Sequence, residues 1–479
     1  MRRIAYASPL NPAPSGISDY SEELLPYLGQ YAEITPYVAD GLKPANAELL
    51  RHMEVRPLGR LARDHRRRPY DAIVYHMGNS QENHAAIWAA LQRTPGVVVL
   101  HELVLHHFML GYAAVVQGDI ERYRAEAARR YGPEGERVAG LMMRGRFIDA
   151  AFDLPFCEPV LDAAEGLIAH SRYVIDRAAA LRPGLPSAHV PMGVPLPPAI
   201  PRDQARAQLG LPADALILAS FGHINPFKRV DVALRAFKTL RAEREQAHYL
   251  LVGSVSPIYN VRAAVARAGL QDAVTVTGYV DRRAFEDYVA AADICLNLRH
   301  PTAGETSASL LRLLGAGKPT LVTASGSFAE LPPGVAAQVD LDGSEGELIL
   351  AYCRLLAARP DLAAAMGAAA RAYVAHDHTL AAAAAGYMRF LAGRYDWGDT
   401  PRLRAEPLWE LPKDAGSRRN GEKPAAARIV GEPRERSDML HPSSYTLHPL
   451  AQALTELGAT EDDRPLLEGA ARALAELGL

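Results

Sequence analysis

The residues best suited to chemistry lie between positions 299 and 332, where the sequence reads RHPTAGETSASLLRLLGAGKPTLVTASGSFAELP. A turn of small and hydroxyl-bearing residues leads there into a leucine-rich, amphipathic helix pattern. The start of a helix carries unpaired backbone N–H groups and the positive end of the helix dipole. Such a turn is suited to binding an anion, of which a diphosphate is a common example. Helix capping alone would also account for Thr306 and Ser307, so both interpretations stay open.

A second group of polar residues follows the apolar run Val97–Leu100. It begins with His101 and Glu102, and His106 and His107 come shortly after. The order H-E-L-V-L-H differs from the H-E-x-x-H pattern of zinc enzymes, and its spacing does not align two ligands on one helix face. The pattern therefore predicts no metal site. The carboxyl end of a buried strand is instead a place where α/β proteins bind ligands.

Both groups must be positioned by strands that end at a common edge of a sheet. Apolar runs without polar alternation, separated by helical patterns, are typical of parallel sheets covered on both faces. Such runs occur at residues 3–7, 72–75, 97–100 and 166–169, and again at 216–220, 249–252, 274–277, 294–298 and 320–322.

The first strand leads into a proline-rich loop that contains Gly16. Ser18 is predicted to cap a helix over residues 19–28. The loop lacks the full G-x-G-x-x-G fingerprint of dinucleotide-binding proteins, which weakens an interpretation of the chain as a Rossmann oxidoreductase.

Composition sets the broad class of protein. A length of 479 residues predicts two domains rather than one, and the formal charge of -3 gives no reason to expect nucleic acid as a partner. The three cysteines (Cys157, Cys295 and Cys353) are far apart, which favours a reducing compartment over a disulfide framework. The basic start is followed by too short an apolar run for a signal peptide, and no stretch approaches ~20 apolar residues. We therefore expect a cytoplasmic protein, and attachment to the inner face of a membrane stays open.

Two arginine clusters bear on that last question. Residues 60–68 read RLARDHRRR, which fits either a solvated loop or a patch for anionic lipid or a phosphorylated acceptor. A helical stretch from about 108 to 165 carries Arg129, Arg130, Arg144 and Arg146. It fits either a cover for the sheet or a peripheral contact with a membrane.

The sequence resembles a known enzyme family from residue 1 to about 395, most strongly in its second half. Gly-Glu-Thr-Ser, a leucine pair, Gly-Ala-Gly-Lys-Pro and Gly-Ser-Phe-Ala-Glu-Leu-Pro are similar to the donor-site segment of retaining family 4 glycosyltransferases. The resemblance implies an α/β protein of the GT-B fold, with two facing Rossmann-like domains that contain parallel sheets. Here it is joined to a C-terminal extension.

The resemblance also implies an activity. A hexosyltransferase of this kind moves a sugar, with retention, from a nucleotide diphosphate sugar to a glycan, a lipid-linked acceptor or another acceptor, as in polysaccharide biosynthesis. No metal or other cofactor is expected. The implied catalytic residues are His101, which contacts the donor sugar, and Glu305. The implied donor-binding residues are Gly16, His223, Lys228, Tyr279, Gly304, Thr306, Ser307, Ser309 and Glu330.

Two positions depart from the family pattern. His223 stands where the family has an arginine that binds the donor diphosphate, five residues before Lys228. The two family glutamates align on Gly304 and Arg312, so the first is displaced to Glu305 and the second, a ribose contact, is absent. An altered site is thus an alternative, and with it a non-catalytic sugar-nucleotide-binding or scaffold protein.

The expected boundaries follow from composition and from the resemblance. We expect an acceptor-side domain at 1–194, a proline-rich linker at 195–201, a donor-binding domain at 202–374 and a crossover helix region at 375–398. A disordered linker is expected at 399–445 and a helical segment at 446–479.

Overall fold

The computed structural model describes residues 1–147, 149–398 and 402–410. The segment 446–479 and the expected linker beyond residue 410 lie outside the described residues. Most of the chain up to Tyr112 and from Pro155 onward forms one compact unit, and residues 113–154 lie in a second. The first unit contains two lobes, each built on its own parallel sheet.

The sheet of the first lobe has seven strands in the order β3-β2-β1-β4-β5-β6-β7. They are β1 (Arg2–Ala7), β2 (Ala32–Val38), β3 (Arg56–Pro57), β4 (Ala72–Met77), β5 (Val97–Leu100), β6 (Gly166–Ala169) and β7 (Ser187–His189). Every pairing is parallel. The central strands β4 and β5 are buried along their whole length, as their unbroken apolar sequences predict.

The helices in this part of the chain are α1 (Gly16–Leu28), α2 (Ala47–His52), α3 (Leu61–Arg67), α4 (Gln81–Arg93), α5 (His106–Gly111), α6 (Glu121–Met143), α7 (Ala150–Asp153), α8 (Glu158–Ala163) and α9 (Arg172–Leu181). Helices α6 and α7 belong to the second compact unit. Gly132, with φ of 63°, interrupts α6. Arg129 and Arg130 both bond Glu126 on the same helix, so part of its basic character is neutralised locally.

The sheet of the second lobe has six parallel strands in the order β10-β9-β8-β11-β12-β13. They are β8 (Ile217–Phe221), β9 (His248–Val252), β10 (Val274–Gly278), β11 (Ile294–Asn297), β12 (Thr320–Thr323) and β13 (Ala337–Val339). The helices that follow are α10 (Arg202–Leu209), α11 (Val230–Glu243), α12 (Val261–Ala268), α13 (Arg282–Ala291), α14 (Ala308–Gly315), α15 (Glu345–Ala358), α16 (Pro360–Asp377) and α17 (Leu380–Arg394).

The strand orders decide where a ligand can bind. In the first sheet the order reverses between β1 and β4, and in the second between β8 and β11. At such a switch point the loops that follow two adjacent strands diverge and leave a crevice at the carboxyl edge of the sheet. The residues predicted to act in chemistry follow strands at or beside these two points.

The chain returns to the first lobe after the second is complete. Helix α17 packs on α1, with the hydroxyl of Tyr387 3.3 Å from that of Tyr20. Arg394 Nε donates to the carbonyl oxygen of Glu165 at 2.8 Å. Residues 402–410 continue on the same lobe, where Trp409 stacks on His52 at 4.8 Å. Residues 402–410 of the expected linker are therefore held against the protein.

Two local predictions are wrong. Helix α1 begins at Gly16, and Ser15, not Ser18, caps it, because the Ser15 Oγ accepts a hydrogen bond from the N–H of Ile17. The cluster at 60–68 is largely the helix α3 rather than a loop. There Asp64 is bonded by Arg56 and Tyr37.

The start of α17 permits a test of this return crossing. A Cβ on Gly193 would lie 2.6 Å from the Cα of Leu380 and 2.7 Å from the carbonyl oxygen of Thr379, both of them backbone atoms. We expect Gly193→Ala to lower the free energy of unfolding by about 1–3 kcal/mol in urea titrations, since the backbone must shift. The control is Gly393→Ala, at a helical position of α17 with open space around it. It should be neutral or stabilising by up to about 1 kcal/mol. Equal effects of the two changes would contradict this packing.

Candidate functional site

A cavity of about 500 Å³ lies between the two lobes, at the switch points of both sheets. Seven of the residues predicted from the sequence line it: Gly16, His101, His223, Tyr279, Glu305, Thr306 and Ser309. Lys228, Gly304, Ser307 and Glu330 are not among the lining residues.

The start of α14 forms one wall of this cavity. Ser307 is the N-cap, and its buried hydroxyl accepts from the N–H of Leu310 at 3.2 Å. The next hydroxyl, that of Ser309, lies 3.0 Å from it and reaches the cavity surface. The positive end of the helix dipole and the first backbone N–H groups of α14 therefore face the space between the lobes.

Gly304 does not line the cavity but lies against the first lobe. Its φ of +81° is in the left-handed region, and a Cβ there would lie 2.9 Å from the Cβ of Leu103. The carbonyl oxygen of Ala303 accepts from the N–H of Leu103 at 2.7 Å. The glycine thus permits a close contact between the lobes beside the cavity.

Lys228 lies directly behind the cavity wall and is 7% exposed. Its Nζ donates to the carbonyl oxygen of Phe221 at 2.6 Å. The Nζ would lie 3.4 Å from a Cβ on Gly222, and the Oγ of Ser309 would lie 3.5 Å from the same point. The ammonium group and the hydroxyl of Ser309, at the start of α14, thus both border the space that a side chain at position 222 would fill. The pKa of Lys228 is lowered to about 7, mainly by burial and also by the positive charge of Arg299, whereas the charge of Glu305 opposes the change.

Arg299 is a cation of this site that the sequence reasoning missed. It follows β11, and its guanidinium pairs with Glu305 at 2.7 Å. Glu305 also accepts from the hydroxyl of Thr302 at 3.0 Å. Its carboxylate is therefore fixed in orientation at the edge of the cavity.

His223 stands at the position of the family arginine but does not carry a full positive charge. Its Nδ1 lies 3.0 Å from the Oγ of Ser254. Partial burial of the ring, and then the charges of Lys228 and Arg299, lower its pKa. The imidazole is therefore mostly neutral near pH 7 and binds as a hydrogen-bonding group rather than as a charge.

His101 belongs to a cluster of buried imidazoles beneath the first-lobe side of the cavity. Its Nε2 lies 2.9 Å from the Nδ1 of His76, and its ring centroid lies 5.0 Å from that of His170. Tyr20 meets it edge-on at 5.6 Å. Burial holds the pKa of His101 well below its ordinary value, and the neighbouring histidines add to the effect. The imidazole therefore stays neutral and fixed.

Glu102 is a second group to which the sequence analysis gave no role, although it named the residue beside His101 at the end of a strand. It lines the cavity beside His101, and burial raises its pKa to about 7. The negative charge of Glu305 contributes to this rise in the pKa, whereas a hydrogen bond from the backbone of Asn79 and the charge of Arg299 oppose it. One carboxyl group from each lobe thus acts on the other across the cavity.

Arg312, at the position of the absent family glutamate, is held by a carboxylate of the opposite lobe. Glu23 on α1 binds it at 2.7 Å and binds Arg282 of α13 at 2.8 Å. Arg282 also pairs with Glu286 at 3.2 Å. This cluster, which we term the interlobe clamp (Glu23, Arg282 and Arg312), closes one side of the cavity.

Tyr279 and Glu330, two further predicted residues, differ in position. Tyr279 lines the cavity and is 65% exposed. Glu330 was predicted to contact the donor, but its carboxylate accepts from the N–H groups of Arg172 and Tyr173 at 3.0 and 2.5 Å. It therefore caps α9 of the first lobe and is not among the residues that line the cavity.

The described residues contain neither a metal-binding group of side chains nor a helix that could span a membrane. Within residues 1–147, 149–398 and 402–410, no group of three or more His, Cys, Asp or Glu side chains is arranged to hold a metal ion. In the same part of the chain, no helix is both long and apolar enough to cross a membrane.

Comparison with solved structures defines the fold. Sucrose-phosphate synthase from Thermosynechococcus elongatus has a TM-score of 0.60 at 18% identity, over 83% of this chain and 100% of that one. HepE from Anabaena, solved with UDP, has a TM-score of 0.58 at 16% identity, over 82% and 100%. WaaG, described as a glycosyltransferase involved in lipopolysaccharide biosynthesis, has a TM-score of 0.54 at 17% identity, over 79% and 97%. The chain has the GT-B fold, with two Rossmann-like lobes, as the sequence predicted.

Comparison of sequences gives a family match. Residues 215–358, in the second lobe, match the family model described as glycosyl transferases group 1. A D-inositol 3-phosphate glycosyltransferase from Streptomyces avermitilis is 31% identical over 64% of this chain and 62% of its own length. One from Streptomyces scabiei is 32% identical over 44% and 48%. The chain thus spans about half to three fifths of the length of these relatives.

The interlobe clamp gives a prediction about stability. Glu23→Gln leaves two partly buried guanidinium groups without their shared carboxylate, and we expect it to lower the free energy of unfolding by about 1–3 kcal/mol. In a double-mutant cycle with Arg312→Gln, measured by urea denaturation, the two effects should be strongly non-additive. The matched control is Glu243→Gln, which breaks the exposed pair with Arg354 and should have no measurable effect. Additive effects of Glu23→Gln and Arg312→Gln would disprove the clamp.

Proposed function

We propose that this protein is a retaining glycosyltransferase that moves a hexosyl group from a nucleotide diphosphate sugar to a saccharide or lipid-linked acceptor. The observation that carries the proposal is the grouping of Lys228, the start of α14 and the Arg299–Glu305 pair on one side of an interlobe cavity. Diphosphate is an anion that these groups suit together, since a helix start, hydroxyl groups and an ammonium group can share its charge. The match of residues 215–358 to the glycosyltransferase family model and the fold agree with this activity.

Each part of the donor then has a defined neighbour. The diphosphate lies over Gly222, where a backbone without a side chain lets it approach Lys228 and Ser309. Gly16 gives the same access from the first lobe, and His223 adds a hydrogen bond. Tyr279, at the open end of the cavity, stacks on the nucleobase.

The sugar is placed toward Glu305 and His101. In the transfer step the oxygen of the acceptor hydroxyl forms a bond to the anomeric carbon as the bond from that carbon to the diphosphate breaks. The hydroxyl proton passes to the leaving phosphate oxygen, so the acceptor enters on the face from which the diphosphate departs and the configuration is retained. Negative charge that develops on the leaving group is stabilised by Lys228 and by the start of α14. No resident metal is needed in this scheme.

The transfer itself is tested with the full chain and a panel of sugar nucleotides that includes UDP-glucose, ADP-glucose and GDP-mannose. Donors that raise the melting temperature are incubated with acceptors, and the products are analysed by mass spectrometry and by NMR for the anomeric configuration. An α-linked product from an α-linked donor supports the proposal. Binding of donors with neither transfer nor hydrolysis would instead favour a non-catalytic sugar-nucleotide-binding protein.

The same assay assigns the residues. We expect Lys228→Met and Glu305→Gln each to lower kcat/KM by at least about 100-fold, because each removes a group that acts on developing charge or fixes the sugar. Lys238→Met, an exposed lysine on α11, is the control and should retain full activity. Circular dichroism establishes that the variants are folded. Wild-type rates in both site variants would remove these two assignments.

The lowered pKa of Lys228 predicts that donor binding takes up a proton. With a pKa of about 7 in the free protein, the amine is mostly neutral at pH 8, and a bound diphosphate raises its pKa by favouring the charged form. Affinity should therefore be highest below pH 7 and fall as the pH rises from 7 toward the pKa of the complex. Calorimetry in two buffers of different ionisation enthalpy should show uptake approaching one proton at pH 8.

Glu102 is the control for that measurement, because its carboxyl group titrates in the same range. The uptake due to the amine should vanish in Lys228→Met and persist in Glu102→Gln. Uptake that is unchanged in Lys228→Met would show that the ammonium group does not contact the diphosphate.

A further inference from the structure

The two lobes give the cavity side chains of different charge. Among the described residues, the side chains with a formal charge that the first lobe contributes to the lining are Asp19, Glu23 and Glu102, and none is a lysine or an arginine. The second lobe contributes residues of both signs to the lining, with Lys228 and Arg299 behind them. They are Arg282, Arg312, Asp281, Glu286 and Glu305. We term the three carboxyl groups the acidic wall.

The members of the acidic wall are not equivalent. Glu23 is neutralised by the two arginines of the interlobe clamp. Asp19 accepts from the side-chain amide of Asn11 at 3.0 Å. Glu102 accepts from the backbone of Asn79, and in the described part of the chain no lysine or arginine forms an ion pair with it. Its charge is therefore the one least compensated by the protein.

The neighbouring histidines do not supply the missing positive charge. His84 and His101 also line this side of the cavity, and burial lowers the pKa of both, that of His84 to about 4. Arg299 acts on Glu102 from the second lobe, but its guanidinium is paired with Glu305. A ligand on the first-lobe side thus meets carboxyl groups and neutral imidazoles.

The acidic side chains of the first lobe bear on the choice of acceptor. The diphosphate of the proposed donor binds the cations of the second lobe, which leaves the first-lobe side of the cavity to the acceptor. Above pH 7, where the carboxyl group of Glu102 is mostly ionised, an anionic group placed beside it would meet a like charge in a partly desolvated site, where such repulsion is strong. A hydroxyl or ammonium group would instead donate a hydrogen bond to the carboxylate. The curated relatives that match this chain carry D-inositol 3-phosphate, an anion, in their names.

We propose that the acceptor site of this protein selects a sugar or polyol without phosphate, sulfate or carboxylate, and that Glu102 enforces this choice by hydrogen bonding to the acceptor. The proposal rests on the proposed glycosyltransferase function. It adds a specificity-determining residue and separates the acceptor class of this chain from the one named in those relatives.

The test uses acceptor pairs that differ by one phosphate: myo-inositol with D-inositol 3-phosphate, and glucose with glucose 6-phosphate. The full chain and a sugar nucleotide that it binds, with UDP-glucose as the first probe, are used to measure kcat/KM for both members. We expect the unphosphorylated member to be preferred at least about 10-fold. In Glu102→Gln, which keeps the shape and removes the charge, that preference should shrink by about 5–10-fold.

Asp281→Asn is the matched control, because it removes a carboxylate from the second-lobe side of the cavity and keeps an acceptor for its cap bond to Ala284. Its preference should equal that of the wild type. A wild-type preference for the phosphorylated members would overturn the inference and leave the transfer activity intact. An unchanged preference in Glu102→Gln would likewise remove Glu102 from the acceptor site.

If no transfer or hydrolysis occurs, the proposed function fails, and the acceptor inference is read from binding. Calorimetry with UDP-loaded protein then compares the same pairs and the same variants. Preferential binding of the unphosphorylated members, reduced in Glu102→Gln, supports the inference. Binding of neither member of any pair overturns it.

Discussion

The site depends on positive charge that the second lobe buries before any ligand is present. An ammonium group taken out of water loses hydration that one backbone carbonyl does not replace, and the pKa of Lys228 falls accordingly. The charge of Arg299 lowers this pKa as well, and Glu305, which pairs with Arg299, partly offsets the effect. An anion over Gly222 stabilises both cations. It raises the pKa of Lys228, so that the amine is charged, and it gives Arg299 a further partner. The absence of a side chain at Gly222 and the open start of α14 are what let an anion reach this point.

Parallel strands explain why residues far apart in the sequence meet here. Gly16, His101 and Glu305 lie in segments that follow β1, β5 and β11, and the carboxyl ends of these strands face the same crevice. The lobes and these residues could therefore be predicted from apolar runs and from the polar residues that end them. The same signal was available for Arg299 and Glu102, each close behind a strand. Neither residue is part of a family motif, so the resemblance gave them no role.

Other features could not be read from the sequence because they depend on how the lobes meet. Glu23 lies in the third turn of α1, and nothing near it indicates that its partners are on α13 and α14. Glu330 follows a glycine in a segment similar to the family donor site, yet its carboxylate turns toward the start of α9. The capping error at α1 is more local. Both Ser15 and Ser18 are acceptable N-caps, and the fold places the helix start at the earlier one.

The charge reversal at Arg312 follows from the same reasoning. The partly buried guanidinium group of Arg312 needs a carboxylate partner. In the second lobe the nearby carboxylate of Glu286 is already paired with Arg282. The first lobe supplies the missing partner through Glu23, so a position that contacts the ribose in the resembling family here contacts the opposite lobe. Opening of the cavity would separate Glu23 from both arginines and expose them without their shared carboxylate. Arg312 therefore couples closure of the lobes to an ion cluster within the protein. A glutamate at this position, as in the family pattern, would instead contact the bound donor.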